Sequence, residues 1–116
     1  MFLELSHTKL DIFKVSKCFV LSCYRETKAF PPEERFGIVQ QIRRAALSVH
    51  LNIAEDCSRK STTERKRFYE VARGSLIEVD TGLDIAVDLN YAAKENLKEL
   101  GQLIIRMFQL ISKMIS

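Results

Sequence analysis

Hydrophobic residues recur every three or four positions along four segments of this chain, which is the spacing of an amphipathic helix. The segments span about residues 8–28, 32–58, 62–90 and 94–115. The apolar seam of the fourth segment favours a shallow crossing angle between helices and comprises Leu97, Leu100, Ile104, Met107, Ile111 and Met114. Short connections make sequential helices antiparallel neighbours. The pattern predicts one all-α domain over residues 1–116, an antiparallel up-and-down four-helix bundle.

Residues at the segment boundaries predict where the helices start and stop. Thr8 followed by Asp11 resembles a capping box at the start of the first helix. The adjacent prolines at 31–32 cannot continue that helix, but a proline can open the next one, which is therefore expected to start at the second proline. Ser61 followed by Glu64 forms another capping-box pattern and predicts the start of the third helix.

The second and third helices carry more apolar surface than a single bundle core requires. On the second helix, the predicted core stripe is Ile38, Ile42, Ala45, Val49 and Ile53, and a second flank is Phe36, Val39, Ala46, Leu47, Leu51 and Ala54. On the third helix, the core stripe is Phe68, Ala72, Leu76, Val79, Leu83 and Ala86, and a second flank is Val71, Gly74, Ser75, Gly82, Ile85 and Leu89. Surplus apolar faces indicate a partner surface, and we expect a homo-oligomer.

Two glycines inside the third helix support close helix packing. Each costs about 1 kcal/mol relative to alanine, so Gly74 and Gly82 indicate close approach by another helix, with tolerated surface glycines as the alternative. Glu78 lies on the same flank. We expect it to pair with Arg43 or Arg44 of the same or a neighbouring subunit.

Composition narrows the class of protein. The chain has 116 residues, 47% of them hydrophobic, with four Gly and two Pro, which excludes an all-β sandwich and a disordered chain. The start lacks the features of a secretory signal, and no apolar stretch is long enough to cross a membrane. The three cysteines include no CxxC pair, so we expect reduced thiols in a soluble cytoplasmic protein, with Cys18 and Cys23 as small core residues.

The sequence offers no set of residues for catalysis. His7 and His50 have neither HExxH spacing nor a nearby pair of cysteine ligands, and we interpret His50 as a core or interface residue. Asp80, Asp84 and Asp88 form one stripe, but no matching Glu-x-x-His accompanies them, so a solvated face is favoured over a metal site. We therefore expect no enzymatic activity, no cofactor and no metal.

Charge is distributed unevenly along the chain. Residues 59–67, which we call the basic pole, hold five basic residues against Glu64, a net charge of +4 that exceeds the +3 of the whole chain; the five are Arg59, Lys60, Arg65, Lys66 and Arg67. Residues 74–93 hold four acidic residues and no basic ones, a net charge of −4. Clustered Lys and Arg favour phosphate binding, with help from Arg73, whereas the alternative is a run that only solubilises a helix end.

Three sequence strings carry a resemblance to a known family. QIRRAA at 41–46, NIAE at 52–55 and GSLxE at 74–78 resemble the four-helix-bundle family named for proteins encoded in 23S rRNA intervening sequences. The family pattern usually continues NIAE with glycine, whereas this chain has Asp56.

The resemblance implies an antiparallel bundle that assembles into a homo-oligomeric ring, a pentamer in the form associated with the family, without enzymatic activity. The resemblance also extends to a related branch, the accessory variability proteins of diversity-generating retroelements. It implies a basic pentameric bundle that works with a reverse transcriptase and nucleic acid.

Polar residues follow one edge of the second helix: Arg44, Ser48, Asn52 and Glu55. Such a run can form a hydrogen-bonded network that fixes the register of packed helices, and the alternative is nucleic-acid contact by Arg44. The sequence as a whole favours a non-enzymatic oligomer that binds structured RNA, DNA or a nucleoprotein through the basic pole. The alternative is a scaffold that binds another protein through the ring surface or the acidic stripe.

Overall fold

The computed structural model describes residues 2–3, 5 and 10–116, which form four α-helices and no strands. The helices are α1 (Asp11–Thr27), α2 (Ile38–Asp56), α3 (Thr62–Asp88) and α4 (Lys98–Ile115). Short 3₁₀ turns at Pro32–Glu34 and Lys94–Leu97 precede α2 and α4. The expected capping residue Thr8 lies outside the described residues. No helix in the described ranges is long and apolar enough to cross a membrane.

Contacts between helix ends show that the helices run up and down. The start of α1 lies beside the end of α2, where Ser16 Oγ is 2.6 Å from His50 Nδ1. The end of α1 lies beside the start of α2, where Arg43 Nε donates to Thr27 Oγ1 at 2.9 Å. Helix α3 packs between α2 and α4, and α4 packs back against α1, which closes an antiparallel bundle.

The buried core largely follows the predicted stripes. The largest fully buried apolar side chains are Phe19, Ile42, Val49, Ile53, Leu76, Val79, Leu100, Met107 and Ile111. Val39 and Ala46 of the predicted second flank of α2 are also buried, so the surplus apolar surface is smaller than expected. On α3, Tyr69 is buried in place of the predicted Phe68, which is half-buried.

The structure corrects the predicted start of the second helix. The chain makes a 3₁₀ turn at Pro32–Glu34, where Arg35 N–H donates to Pro32 O at 3.1 Å. Gly37 then stands at the N-cap of α2 with φ −105° and ψ −116°, outside helical geometry. The prolines therefore open a separate turn, and α2 begins at Ile38.

Capping interactions define both ends of α3. Ser61 is its N-cap, and its hydroxyl accepts from the Glu64 N–H at 3.3 Å, which confirms the predicted start. At the other end Asn90 has φ 63°, and Tyr91 N–H donates to Ala86 O at 2.9 Å. This is a Schellman ending with asparagine at the left-handed position.

The cysteine prediction is correct for one of the two residues on α1. Cys23 is buried, and burial raises the pKa of its thiol to about 12, so it packs as a small apolar residue. Cys18 is exposed, which contradicts its predicted place in the core. The apolar spacing of α1 includes Cys18 only at the margin of the buried face.

Candidate nucleic-acid interface

The basic pole lies at one end of the bundle. It comprises part of the loop between α2 and α3 and the first two turns of α3. Because the helices alternate in direction, the start of α1 and the end of α4 lie at this end too. They bring the exposed Lys14 and Lys113 to it, two residues that the linear charge count missed. The up-and-down topology was the sequence signal that could have found them.

Arg59 is held within the chain. Its Nη2 donates to Glu55 Oε1 at 3.0 Å, and its guanidinium lies 4.8 Å from the centre of the Phe68 ring. The Arg59 Nε is buried and has no hydrogen-bond partner among the described residues. The carboxylate of Glu55 offsets the charge of Arg59, and the planar face of the guanidinium lies over an aromatic ring. The side chain is thereby less available for an external phosphate.

Arg65 also has an internal counter-charge. Its Nε lies 3.7 Å from Oδ1 of Asp56, the last residue of α2, which is only 2% exposed. Desolvation raises the pKa of Asp56, opposed by a side-chain hydrogen bond from Tyr69 and by the charge of Arg65. Burial and the neighbouring Asp56 raise the pKa of Tyr69, so the phenol remains protonated. Asp56 Oδ1 has no hydrogen-bond partner among the described residues.

Three cations of the basic pole remain exposed and unpaired. Lys60, Lys66 and Arg67 make no ion pair with any residue in the described part of the chain. The net charge of +4 counted over residues 59–67 therefore overstates the pole, because Glu55 and Asp56 lie just outside that window. The basic pole therefore presents fewer unpaired cations than the sequence predicts.

Arg73 lies farther along α3 than the rest of the predicted site. It follows Lys66 by seven residues, so the two lie on the same face of the helix about two turns apart. Arg73 is half-buried and forms no ion pair with a described residue. It extends the face of Lys66 along the helix.

The predicted polar run on α2 separates into two parts. Ser48 Oγ lies 2.9 Å from Ser75 Oγ of α3, and Asn52 Nδ2 donates to Ser48 O at 2.8 Å and to its Oγ at 3.1 Å. Glu55 instead pairs with Arg59. Arg44 is exposed and forms no hydrogen bond with a described residue. Ser75 completes the α2–α3 network, and its position in the GSLxE string was the available signal.

The structure contradicts pairing of Arg43 with Glu78 in the same chain. Arg43 turns toward α1, where its Nη2 donates to Tyr24 O at 3.2 Å and its guanidinium lies 4.7 Å from the Tyr24 ring centre. Arg44 and Glu78 line one small cavity of about 210 Å³ between α2 and α3, yet they form no ion pair within the described chain. Both side chains are exposed.

The two interior glycines of α3 have different surroundings. A Cβ on Gly82 would lie 2.8 Å from Ile42 Cγ1, so α2 approaches α3 closely at this point. A Cβ on Gly74 would meet no atom within 4 Å. The close approach at Gly82 is made within the chain, whereas Gly74 faces open space.

The acidic stripe borders a groove between α3 and α4. The groove has a volume of about 740 Å³ and is lined by Asp80, Leu83, Asp84, Val87, Asp88, Lys94, Glu95, Leu97, Lys98, Gly101 and Ile104. The described residues contain no group of three or more His, Cys, Asp or Glu side chains that could hold a metal ion.

His50 packs between helices rather than facing a catalytic partner set. Its ring centre lies 4.5 Å from that of Phe13, and its Nδ1 contacts Ser16 Oγ. These contacts agree with a core or interface histidine. His7 lies outside the described residues.

Comparison with known proteins identifies the family. The family model described as 23S rRNA-intervening sequence protein matches residues 8–113, nearly the whole chain. This chain belongs to the 23S rRNA-intervening sequence protein family. The resemblance drawn from the strings at 41–46, 52–55 and 74–78 is therefore confirmed at the level of the family.

A solved structure shares the fold of this 23S rRNA-intervening sequence family member. It is a protein with unknown function from the S23 ribosomal protein family of Bacteroides thetaiotaomicron, with a TM-score of 0.81 and 18% sequence identity. The match covers 90% of this chain and 98% of that chain. No curated protein matches. Neither the family description nor that of the solved structure names an enzymatic activity.

Proposed function

We propose that this protein is a non-enzymatic nucleic-acid-binding protein that contacts structured RNA through the basic pole. The observation that carries the proposal is the group of three exposed cations without an internal counter-charge, Lys60, Lys66 and Arg67. Exposed Lys14 and Lys113 extend positive charge across the same end of the bundle. Such cations bind phosphates and release condensed counterions, a sequence-independent source of affinity.

The aromatic residues directly after the pole, Phe68 and Tyr69, favour recognition of the phosphate backbone over recognition of bases. Tyr69 is only 3% exposed, and the Phe68 ring has Arg59 over its face. Base stacking by proteins that bind single strands requires exposed aromatic faces. The described part of the pole presents none, which favours a folded or double-stranded RNA whose shape and phosphates are read.

Binding to a fluorescein-labelled RNA duplex, followed by anisotropy over a range of salt concentrations, tests the proposal. We expect binding at low salt whose logarithmic affinity falls linearly and steeply with the logarithm of the salt concentration. A DNA duplex of the same sequence tests whether the 2′-hydroxyl contributes. Failure of both duplexes to bind at low salt would exclude the proposed function.

We further propose that the protein assembles through the outer face shared by α2 and α3. Leu47 and Leu51 of α2 are 39% and 55% exposed, and Val71 of α3 is 46% exposed. Gly74 leaves room there for a neighbouring helix. Together with the open charges of Arg44 and Glu78, these residues form an apolar face with polar edges, which is typical of an interface.

A ring, and a pentamer in particular, would repeat the basic pole around one axis and multiply the phosphate contacts. Sedimentation of Leu51→Glu tests the assembly, because a charge at this face should dissociate the oligomer. Ile105→Glu on the outer side of α4 is the matched control, since Ile105 is 60% exposed and lies away from the proposed face. A wild-type monomer at micromolar concentration would overturn the assembly.

The second candidate function is a scaffold that binds another protein, and the groove between α3 and α4 favours it. Its floor includes apolar residues such as Leu83 and Ile104, while Asp80 and Asp84 border it without ion pairs to described residues. A basic amphipathic helix would match that combination. Asp80→Lys with Asp84→Lys should abolish such binding and leave RNA affinity at the distant pole at least as high.

The biological setting belongs to the proposal as well. We propose a cytoplasmic location, in which Cys18, Cys23 and Cys57 remain the free thiols seen in the structure. We also propose a relationship to the accessory variability proteins of diversity-generating retroelements, which would add a reverse transcriptase as a partner. A reverse-transcriptase gene beside the gene of this protein would support that assignment.

A further inference from the structure

We propose that Asp56 sets the strength of nucleic-acid binding by acting as an internal, proton-controlled counter-charge for Arg65. This inference rests on the proposed function, since Arg65 belongs to the basic pole. In its ionised form the Asp56 carboxylate holds the guanidinium and offsets its charge. In its protonated form it frees Arg65 to contact a phosphate.

The carboxylate of Asp56, the last residue of α2, is buried and faces the exposed first turns of α3. Asp56 Oδ1 lies 3.7 Å from Arg65 Nε, and the Arg65 side chain is half exposed to solvent. The ion pair thus joins a buried acid to a base that reaches the surface. A change in the charge of the buried Asp56 therefore alters the net charge at the surface directly, through this ion pair.

The surroundings of Asp56 leave its charge incompletely compensated. Arg65 and Tyr69 of α3 face it, and Cys57 lies beside it in the chain. Arg59 pairs with Glu55 instead of Asp56, and the Oδ1 atom of Asp56 has no hydrogen-bond partner among the described residues. A buried, incompletely satisfied carboxylate takes up a proton more readily than a solvated one.

Burial, the largest influence, raises the pKa of Asp56 above its ordinary value. As the pH falls through that raised pKa, Asp56 becomes neutral before exposed aspartates do. Guanidinium groups in proteins stay charged throughout this range. The net charge of the pole therefore increases as the pH falls through the raised pKa of Asp56, and phosphate binding strengthens.

The experiment measures the salt dependence of binding to the RNA duplex for wild type and Asp56→Asn, each at about pH 5 and about pH 8. The asparagine is nearly isosteric and cannot ionise, so it mimics the neutral acid. We expect the variant to have a steeper salt slope than wild type at the higher pH, by about 0.9 for one additional phosphate contact on a duplex. We expect the difference between the two slopes to be smaller at the lower pH, because the raised pKa makes wild-type Asp56 more often neutral there than at the higher pH.

Arg65→Ala and the double variant Arg65→Ala with Asp56→Asn separate this role from a general effect of charge. If Asp56 acts through Arg65, removing the acid has no effect on the slope once Arg65 is absent. An equal effect of Asp56→Asn in both backgrounds would overturn the inference. Wild-type protein at the two pH values shows the effect of pH without a substitution that could disturb folding, and Asp56→Asn at the same two values records every effect of pH that does not involve Asp56.

The outcomes distinguish this inference from the proposed function. Binding with equal slopes for wild type and Asp56→Asn at both pH values would overturn the role of Asp56 while leaving the nucleic-acid proposal intact. An absence of binding by every form at low salt would overturn the proposed function and this inference together.

Discussion

At the scale of single residues, the same residue type has different consequences according to what surrounds it. Gly74 and Gly82 lie on neighbouring parts of one face of α3, yet only Gly82 has an atom of α2 within 3 Å of where a Cβ would stand. That neighbour, Ile42, is itself buried, so its side chain must shift within the core to admit an added methyl group. The two positions therefore offer an internal comparison between packing and helix propensity.

Gly82→Ala should lower the free energy of unfolding by about 1–3 kcal/mol, the usual cost of overpacking a core. Gly74→Ala should raise it by up to about 1 kcal/mol, because alanine is the better helix former and nothing in the chain opposes the added methyl. Urea unfolding of both variants, at protein concentrations at which sedimentation shows a monomer, measures the difference. Equal effects would contradict the close packing at Gly82.

Asp56→Asn should make the folded protein more stable at neutral pH. Because the pKa of Asp56 is raised in the folded state, its contribution to stability is present below the unfolded pKa of about 3.9 and is lost as the pH rises through the folded pKa. Asparagine avoids that loss. Thermal unfolding should show a higher Tm for the variant at pH 7, with the difference shrinking toward pH 3. A lower Tm for the variant at pH 7 would contradict this assignment.

At the scale of the helices, capping and local hydrogen bonds determine the boundaries. The amphipathic pattern predicted all four helices, and the cap at Ser61 was visible in the sequence because capping is local. The start of α2 was predicted wrongly because Pro32 is compatible with both an α-helix and a 3₁₀ turn. The non-helical backbone at Gly37 decides between them, and it is a tertiary outcome.

Ser61→Ala should lower the free energy of unfolding by about 1 kcal/mol, since the Glu64 N–H loses its side-chain acceptor. Fraying should be confined to the first turn of α3, which precedes Arg65. Amide hydrogen exchange measures this local loss of protection. Thr63→Ala is the control, because Thr63 is exposed and does not cap the helix; similar loss in both variants would contradict the capping role.

At the scale of the whole molecule, the antiparallel topology determines which charges meet. The linear count predicted a basic pole but not its internal neutralisation. Pairing of Arg59 with Glu55, four residues apart across the end of α2, could have been predicted from the sequence. The contact between Arg65 and Asp56 depends on how α3 returns along α2, and no local pattern specifies it. The same topology brings Lys14 and Lys113 to the pole.

The tertiary structure also reduces the apolar surface that is left exposed on α2 and α3, compared with the surface that the sequence predicts. Val39 and Ala46 lie inside the bundle, so the remaining outer face is formed by a smaller set that includes Leu47, Leu51 and Val71. Assembly through this face and nucleic-acid binding through the pole are separate proposals. Each can fail without the other.

Replacing Lys60, Lys66 and Arg67 together by alanine is the most direct test of nucleic-acid binding through the basic pole. The matched control replaces Lys28, Lys94 and Lys98, three exposed cations at the opposite end of the bundle, and so removes the same formal charge. The measurement is the salt dependence of affinity for the RNA duplex. We predict that the pole variant loses up to about 2.7 units of slope, about 0.9 for each phosphate contact, while the control keeps the wild-type slope. Equal slopes for the two triple variants would contradict it.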